Sequence, residues 1–424
     1  MGNLDYTQVL NKIENTRRFG NEPGVVVTAQ VIKVLREKGK QKRIIPYIHV
    51  AGTNGKGSVC AFFSSILKKE HMRVGTFVSP HLVDFEERIT VDGRMMPKED
   101  VTRLGNYLLD IDFGIGLTMF DYCLAMALLY FEEQQCNYMV IETGLGGRLD
   151  STNAIGTPQC AIITKIGYDH MAILGSDIAD IAAEKAGIIK ENGTVVVEQQ
   201  DKRAMQVIEQ QAQKKHARII TVEQSDIARC SGYALRLCGT FQWENAAAAE
   251  LAARYVLGKR YDGPEYEMQY DKTEPKREET DLNKRIKSAL EEAVWPGRME
   301  IVSKEPFLLV DGAHNSNGVD ALKESLMHMY PGEKFCFFMG VMADKDYDVM
   351  IREILPLAEE FYTVTPDSDR ALQASHLADF IRKEGVKATE LSGVDEIGRH
   401  LKRDTKNVAF GSLYFIGELK QHRI

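Results

Sequence analysis

The run Gly52-Thr53-Asn54-Gly55-Lys56-Gly57-Ser58 constrains this chain more than any other stretch. An apolar segment at residues 44–50 precedes it, and a helical pattern at residues 59–67 follows. Strand, glycine turn and helix start is the layout of a phosphate-binding loop. Glycines let backbone N–H groups point inward at phosphate oxygens. The helix start adds partial positive charge. Lys56 can neutralise terminal phosphates, and the Ser58 hydroxyl can reach a magnesium ion or a phosphate. These residues predict a chain that handles a nucleoside triphosphate. The pattern departs from the general rule, because Gly57 separates the lysine from the hydroxyl and the glycine spacing is shorter.

The same alternation continues along the chain. Strands are expected at 73–78, 138–142, 160–164 and 194–198, and helices at 97–110, 118–135, 177–189 and 201–216. The helix over 118–135 is apolar nearly all round, so it should be buried. Alternating strands and helices predict a parallel sheet covered on both faces. Residues 218–238 read as added β structure, and residues 243–257 as an alanine-rich helix. Residues 259–293 are crowded with charge and poor in apolar residues, weakly helical only at 281–293. They read as a linker or surface insertion. Beyond it the alternation resumes, with strands at 307–310, 334–340, 359–364 and 406–410 and helices at 316–329, 345–355 and 375–384. A length of 424 residues exceeds one typical core. The expected layout is an α/β P-loop parallel-sheet domain over 1–258, a charged linker over 259–297, and a smaller Rossmann-like α/β domain over 298–424.

Composition excludes several function classes. A net charge of −8 argues against bulk nucleic-acid binding. No apolar stretch reaches the roughly 20 residues needed to span a bilayer. The start of the chain lacks the basic and apolar segments of a secretory signal. Seven cysteines, at 60, 123, 136, 160, 230, 238 and 336, form no C-x-x-C pair. Reduced, mostly buried thiols in a cytoplasmic protein are the simplest account.

Ligands of open α/β sheets collect at the carboxyl ends of strands, and several polar clusters fall there. Glu142 closes an apolar strand before a glycine-rich turn, where a carboxylate can hold magnesium opposite a phosphate loop. Ser79 ends a strand before a proline, which can turn its hydroxyl toward the site, and a simple turn explains the position equally well. His170 follows a strand, and a lone histidine there is more often structural. Lys185 sits toward a helix C-terminus, where the dipole favours a solvated cation. Arg298, Asp311 and His314 open the second domain. Asp311 and His314 lie at a strand end and can reach toward a nucleotide, or Asp311 or Asn315 can cap a helix.

Taken in order, these motifs resemble the folylpolyglutamate synthase and dihydrofolate synthase family, relatives of the Mur ligases. The resemblance rests on residues 49–58, Ser79-Pro80-His81-Leu82, residues 144–153, Asp169-His170, Glu184-Lys185-Ala186-Gly187, Asn245-Ala246-Ala247, Pro296-Gly297-Arg298, Asp311-Gly312-Ala313-His314-Asn315 and Gly411-Ser412-Leu413-Tyr414. It implies that residues Thr53 to Ser58 cradle ATP phosphates and that Ser79, Glu142 and His170 hold magnesium. It implies that Lys185 is carbamylated and that Asn245 touches the adenosine. It implies that Arg298 and Asp311 close on ATP, and that residues 118–121 and 149–151 contact a pterin. The pterin contacts are then Phe120, Asp121, Leu149, Asp150 and Ser151. Two departures stand out: the long 259–293 segment, and Phe410 where the family often has a small polar residue.

The expected reaction is ATP-dependent addition of L-glutamate to a reduced folate, with dihydropteroate as a further acid suggested by Arg148 and Asp150. Lys56, Lys185, Arg298 and His314 are the expected catalytic set, and His314 is the first candidate base. A monomer is expected. Two rivals belong to other classes. A Mur-type ligase acting on a UDP-sugar should carry a further N-terminal domain, yet only about 43 residues precede the first strand. The other is a non-catalytic nucleotide switch or a P-loop kinase; a switch would not need Arg298, Asp311 and His314 supplied from a second domain.

Overall fold

A computed structural model describes residues 4–16, 20–261 and 275–422. Two units separate by their internal contacts. The first takes Met1–His81, Phe85–Ala234 and Glu244–Ala293, and the second takes Leu82–Asp84, Leu235–Trp243 and Val294–Ile424.

The first unit is built on eight strands: β1 (Tyr47–Ala51), β2 (Val74–Phe77), β3 (Ile89–Val91), β4 (Arg94–Met95), β5 (Tyr138–Glu142), β6 (Cys160–Ile163), β7 (Thr194–Val197) and β8 (Arg218–Thr221). Their order is β4-β3-β2-β5-β1-β6-β7-β8. The six strands from β2 to β8 in that order run parallel, and β3 and β4 add an antiparallel edge. Every residue of β1, β5, β6 and β7 is buried. Strands apolar on both faces need helices on both sides. Helices Tyr6–Glu14, Gly24–Glu37, Lys98–Leu109 and Met119–Glu133 share one core with Phe77, Ile89, Met139 and Ile141. Helices Ile178–Ala186 and Lys202–Lys214 share another with Ala161, Ile163, Val195 and Val197.

The helix Met119–Glu133 shows how local sequence sets an element. Thr118 and Asp121 form a reciprocal capping box at its start, and every residue from Cys123 to Phe131 is buried. Its all-round apolarity is thus satisfied by burial, as expected.

Two expectations need correction. The β structure expected over 218–238 is confined to β8, and a helix follows at Gln224–Ser231. The Asp226 carboxylate accepts the Glu223 N–H at 3.1 Å, which starts that helix, and Cys230 is its one buried residue. The segment expected as a charged linker carries the end of a helix, Phe241–Tyr261, and then a second helix, Pro275–Glu292. Residues 262–274 of that expectation lie outside the described residues. The second helix buries Ile286, Ala289 and Leu290. It is tied to the helix Lys56–Lys69, which begins in the glycine run, and to the residue after it. Ser65 Oγ donates to Ala289 O at 2.6 Å, Lys69 Nζ to Glu292 at 2.6 Å, and Arg285 Nε to Glu70 at 2.6 Å. The spacing 286, 289, 290 and 293 is one helical stripe, hidden in the sequence by the charges around it.

The second unit carries β9 (Glu300–Lys304), β10 (Phe307–Asp311), β11 (Phe335–Met339), β12 (Ala358–Thr363), β13 (Ala388–Glu390) and β14 (Lys406–Phe410), in the order β13-β12-β11-β14-β10-β9. The sheet is parallel except for β9, which pairs antiparallel with β10. Neither β9 nor β13 was expected from sequence, since β9 is half exposed and β13 has only three residues. Phe410 is fully buried and meets Phe337 edge-on at 5.6 Å, so at this position the chain uses a core aromatic. Ser412, two residues on, caps the helix Leu413–Gln421 by accepting the Phe415 N–H at 3.0 Å.

No helix among the described residues is long and apolar enough to cross a membrane. All seven cysteines are free thiols, and six of them are buried.

Candidate active site

Strand order diverges at β1, with β5 on one side and β6 on the other. Val50 lies opposite both Glu142 and Ile162, so the three carboxyl ends finish on one level. That is the crevice where open α/β sheets bind ligands. The glycine run leaves β1 there. Gly55 has φ +90° and heads the helix Lys56–Lys69. A Cβ at Gly55 would meet Asn245 Oδ1 at 2.3 Å, and one at Gly52 would meet Thr164 Oγ1 at 1.8 Å. Only glycine fits either position. The Thr53 and Asn54 amides both donate to Lys165 O, at 2.9 and 3.3 Å. These two amides therefore shape the loop. The helix Lys56–Lys69 starts here with Ser58 buried in its first turn, and the first-turn amides of a helix have no acceptor within it, which suits them to an anion.

Two cations and a carboxylate surround this loop. Lys56 Nζ donates to Thr53 O at 3.3 Å and lies 3.7 Å from Glu142 Oε1. Glu142 is buried at the end of β5, and its Oε2 accepts the Ser79 N–H at 3.2 Å. Lys185 is only 3% exposed, and its Nζ donates to Gly52 O at 2.9 Å. Burial, and then the Lys56 charge, push the Lys185 amine down to about 7. Lys185 is thus a buried amine against the loop, not the solvated helix-end cation that position suggests. His170 stands apart in character. It is exposed, has φ +51°, and its Nε2 lies 3.9 Å from Asp169. Among the described residues no group of three or more His, Cys, Asp and Glu side chains gathers at metal-holding distance. The buried Glu142 carboxylate beside Ser79 nonetheless offers the oxygen donors that magnesium prefers.

The expected acid-binding residues form a second cluster beside the loop. Phe120 meets Phe77 edge-on at 5.4 Å and lies under Gly144, where a Cβ would come within 2.7 Å of its ring. Ser151 Oγ donates to Asp121 Oδ1 at 2.6 Å, in a buried pair. Leu149 is 42% exposed, so it offers apolar surface. Asp150 is buried. Its Oδ2 accepts the Gly144 and Leu145 amides at 3.0 and 2.9 Å, and its Oδ1 accepts the Thr152 amide and hydroxyl. Burial pushes its carboxyl above the ordinary aspartate range against these four bonds. Asp150 thus holds the glycine-rich turn in shape. Arg148 pairs instead with Glu184, at 2.6 Å.

The relay runs one step further. Thr152 Oγ1, already donating to Asp150, lies 2.8 Å from Nε2 of the fully buried His49, inside β1. That pattern assigns the His49 proton to Nε2 and leaves Nδ1 bare, in keeping with its lack of a partner. Burial and then Lys190 hold His49 down to about 3, so it stays neutral. Thr152→Val keeps the shape but removes the shared hydroxyl, leaving a buried donor and acceptor poorly paired. It should cost about 2 kcal/mol of stability, read as a lower urea midpoint at unchanged slope, with Thr152→Ser restoring it.

In the second unit, Asp311 is buried at the end of β10. Its carboxylate accepts the Met299 amide at 2.9 Å and the Ala313 amide at 2.8 Å, while the Gly312 amide donates to Gly297 O at 2.9 Å. Burial raises this carboxyl, and the Arg298 charge opposes the rise. Arg298 lies over Gly312, with Nη1 2.7 Å from where a Cβ would sit. Asp311 therefore fixes the backbone around Arg298, and Asn315, not Asp311, caps the helix Ser316–Met329 through the Gly318 amide at 2.8 Å. His314 Nδ1 lies 2.8 Å from Gly312 O. Sequence reasoning missed His49, Thr152, Thr164 and Lys165. Signals were present for three of them: a histidine inside an apolar strand, and Thr164 and Lys165 directly after the end of β6.

The Mur ligase middle domain family matches residues 50–253, and the Mur ligase glutamate ligase domain family matches residues 297–408. The dihydrofolate synthase/folylpolyglutamate synthase of Bacillus subtilis is 32% identical, with 98% of each chain covered. The E. coli FolC solved in complex with DHPP and ADP superposes with a TM-score of 0.80 at 26% identity, covering 99% of this chain and 97% of that one. A Mycobacterium tuberculosis folylpolyglutamate synthase, solved with ADP and AMPPCP, shares the fold at a TM-score of 0.83 and 24% identity, over 99% and 98% of the two chains.

Proposed function

Because the chain belongs to the dihydrofolate synthase/folylpolyglutamate synthase family, we propose that it uses ATP to join L-glutamate to a reduced folate, with dihydropteroate as a second acid substrate. The observation that carries this reading is the glycine run at the divergence of the sheet, with Lys56 and Glu142 converging on it. A carboxylate is a poor electrophile, so amide formation needs a better leaving group. A substrate carboxylate oxygen attacks the γ-phosphorus, the bond to ADP breaks, and an acyl phosphate forms. The glutamate amine then attacks the acyl carbon, phosphate leaves, and the amine gives up its proton.

Two anions meet in the first step, so placing positive charge dominates the barrier. Lys56 and the amides of residues 56–58 take the phosphates, and Asn245, leaning on Gly55, takes the adenosine side. Glu142 and Ser79, with His170, would hold magnesium, which supplies Lewis-acid neutralisation of phosphate charge when bound. Arg298, its backbone set by Asp311, adds charge from the second unit, and His314 is the candidate base. Phe120, Asp121, Leu149 and Ser151 receive the pterin, on a turn that Asp150 shapes. Lys185 as a carbamate would bring an anion toward the metal. The protein is taken to work as a monomer in the cytoplasm, a reducing compartment that fits its free, mostly buried thiols.

The test is phosphate release by purified protein with ATP, magnesium, glutamate and tetrahydrofolate. Release should require both glutamate and the folate, and the product should carry added glutamyl residues by mass spectrometry. Replacing tetrahydrofolate with dihydropteroate tests the second acid. Phosphate release that ignores the folate would overturn the reading, and tight nucleotide binding without glutamate-dependent turnover would favour the switch.

A further inference from the structure

Segments from distant parts of the first unit surround the glycine run, joined by hydrogen bonds and, at Gly55, by a packing contact. Residues 53 and 54 are held by residues 164–167. Lys165 O accepts two loop amides, Thr164 Oγ1 donates to Asn54 O at 2.6 Å, and Thr53 Oγ1 both donates to Gly167 O and accepts the Gly167 amide, each at 3.0 Å. Residues 164–167 are held in turn by residues 198–200, which follow β7. Glu198 Oε2 accepts the Lys165 amide at 2.8 Å. Gln200 works from both ends of one amide: its Oε1 accepts the Ile166 N–H at 2.9 Å and its Nε2 donates to Thr164 O at 3.0 Å. The Gln199 amide donates to Glu244 Oε1 at 2.7 Å. The next residue, Asn245, packs on Gly55.

We propose that Gln200 is a positioning residue for nucleotide binding, bridging residues 164–167 to the frame that sets the shape of the phosphate loop. Gln200 touches no residue of the glycine run in these bonds, so it acts through Thr164 and Ile166. Its two bonds go to the backbone of residues 164 and 166, on either side of Lys165. The Ile166 bond holds the N–H of the peptide between Lys165 and Ile166, whose carbonyl oxygen, on Lys165, takes the Thr53 and Asn54 amides, and the Thr164 bond holds the carbonyl of the peptide just before it. A tilt of the peptide between Lys165 and Ile166 moves the acceptor on which both loop amides converge. A phosphate loop binds tightly only if its amides are already aimed, because reshaping it on binding subtracts from affinity. Gln200 itself is only half-buried, so replacing it leaves the core intact.

This inference rests on the nucleotide reading of the loop, and the test keeps the two apart. ADP with magnesium is titrated calorimetrically into the wild type and into Gln200→Met, beside steady-state kinetics. Gln200→Met keeps the length of the side chain and loses both bonds. It should weaken ADP binding and raise the KM for ATP about tenfold, with the KM values for folate and glutamate within about twofold of wild type. Gln200→Glu keeps the acceptor for Ile166 and loses the donor to Thr164, so it should fall between the two. Equal ADP affinity in wild type and Gln200→Met would overturn the frame alone. So would a parallel rise in all three KM values with a lowered melting temperature. Failure of the wild type to bind ADP would remove the nucleotide reading as well.

Discussion

Lys185→Ala is expected to lower glutamate-dependent phosphate release about 1,000-fold, with acetate or propionate restoring part of the rate. Lys185 is buried against the carbonyl of Gly52, and burial plus the Lys56 charge bring its amine to about 7. An amine with that value is about half neutral at pH 7, whereas an ordinary lysine is almost wholly charged. Only the neutral amine combines with carbon dioxide. The nitrogen lone pair forms a bond to carbon, one proton leaves, and a carbamate anion results. The sign with pH follows. Below about 7 the amine takes up a proton, so the carbamate and the rate should both fall as the solution is acidified.

The same shift predicts how the variant folds. The folded chain binds this proton less tightly than the unfolded chain, so the lysine works against folding, increasingly as pH falls from the ordinary value of 10.5 to about 7. Lys185→Ala escapes that cost and leaves a small cavity in exchange, so its melting temperature should stay near that of the wild type. A variant with full activity, or one inactive but deaf to short-chain carboxylates at every concentration, would remove the carbamate from the mechanism.

Lys56→Ala should abolish turnover, lowering it about 1,000-fold or more, while the melting temperature changes by only a few degrees. The side chain of Lys56 is 17% exposed, and its contacts are the Thr53 carbonyl and Glu142. Neither contact belongs to the hydrophobic core, so the fold should persist. What is lost is the cation at the head of the phosphate-loop helix. Lys56→Arg should not rescue, because the larger planar guanidinium does not match a compact ammonium in this confined loop. Circular dichroism and calorimetry check the fold, and phosphate release checks the rate. Near-normal activity in Lys56→Ala would take Lys56 out of the catalytic set.

Much of the site was legible because its chemistry follows local order. A glycine run between a strand and a helix can be recognised without knowing the neighbours. So can Glu142, which closes a wholly buried strand. Asp150 was legible as important but not in its role: adjacency in sequence cannot show that both its oxygens turn inward to amides of its own turn. Asp311 is similar, since its partners Met299 and Ala313 flank the β9–β10 pair in sequence and meet only because the two strands run antiparallel. Lys185 looked like a solvated helix end, because exposure depends on what packs over a helix, and no local pattern records that.

The amino-acid sequence by itself determined the alternation of strands and helices, the parallel sheets that follow from it, and the place of the phosphate loop. Those properties depend on periodicity, glycine freedom and strand apolarity, which act over a few residues. Tertiary structure alone decided that the helix Pro275–Glu292 packs on the phosphate-loop helix, that His49 shares a hydroxyl with Asp150, and that residues 198–200 brace residues 164–167. Each of these joins segments tens to hundreds of residues apart. Hydrogen bonds and buried charges draw their strength from the surroundings that folding creates, so their partners are settled only when the chain has closed around them.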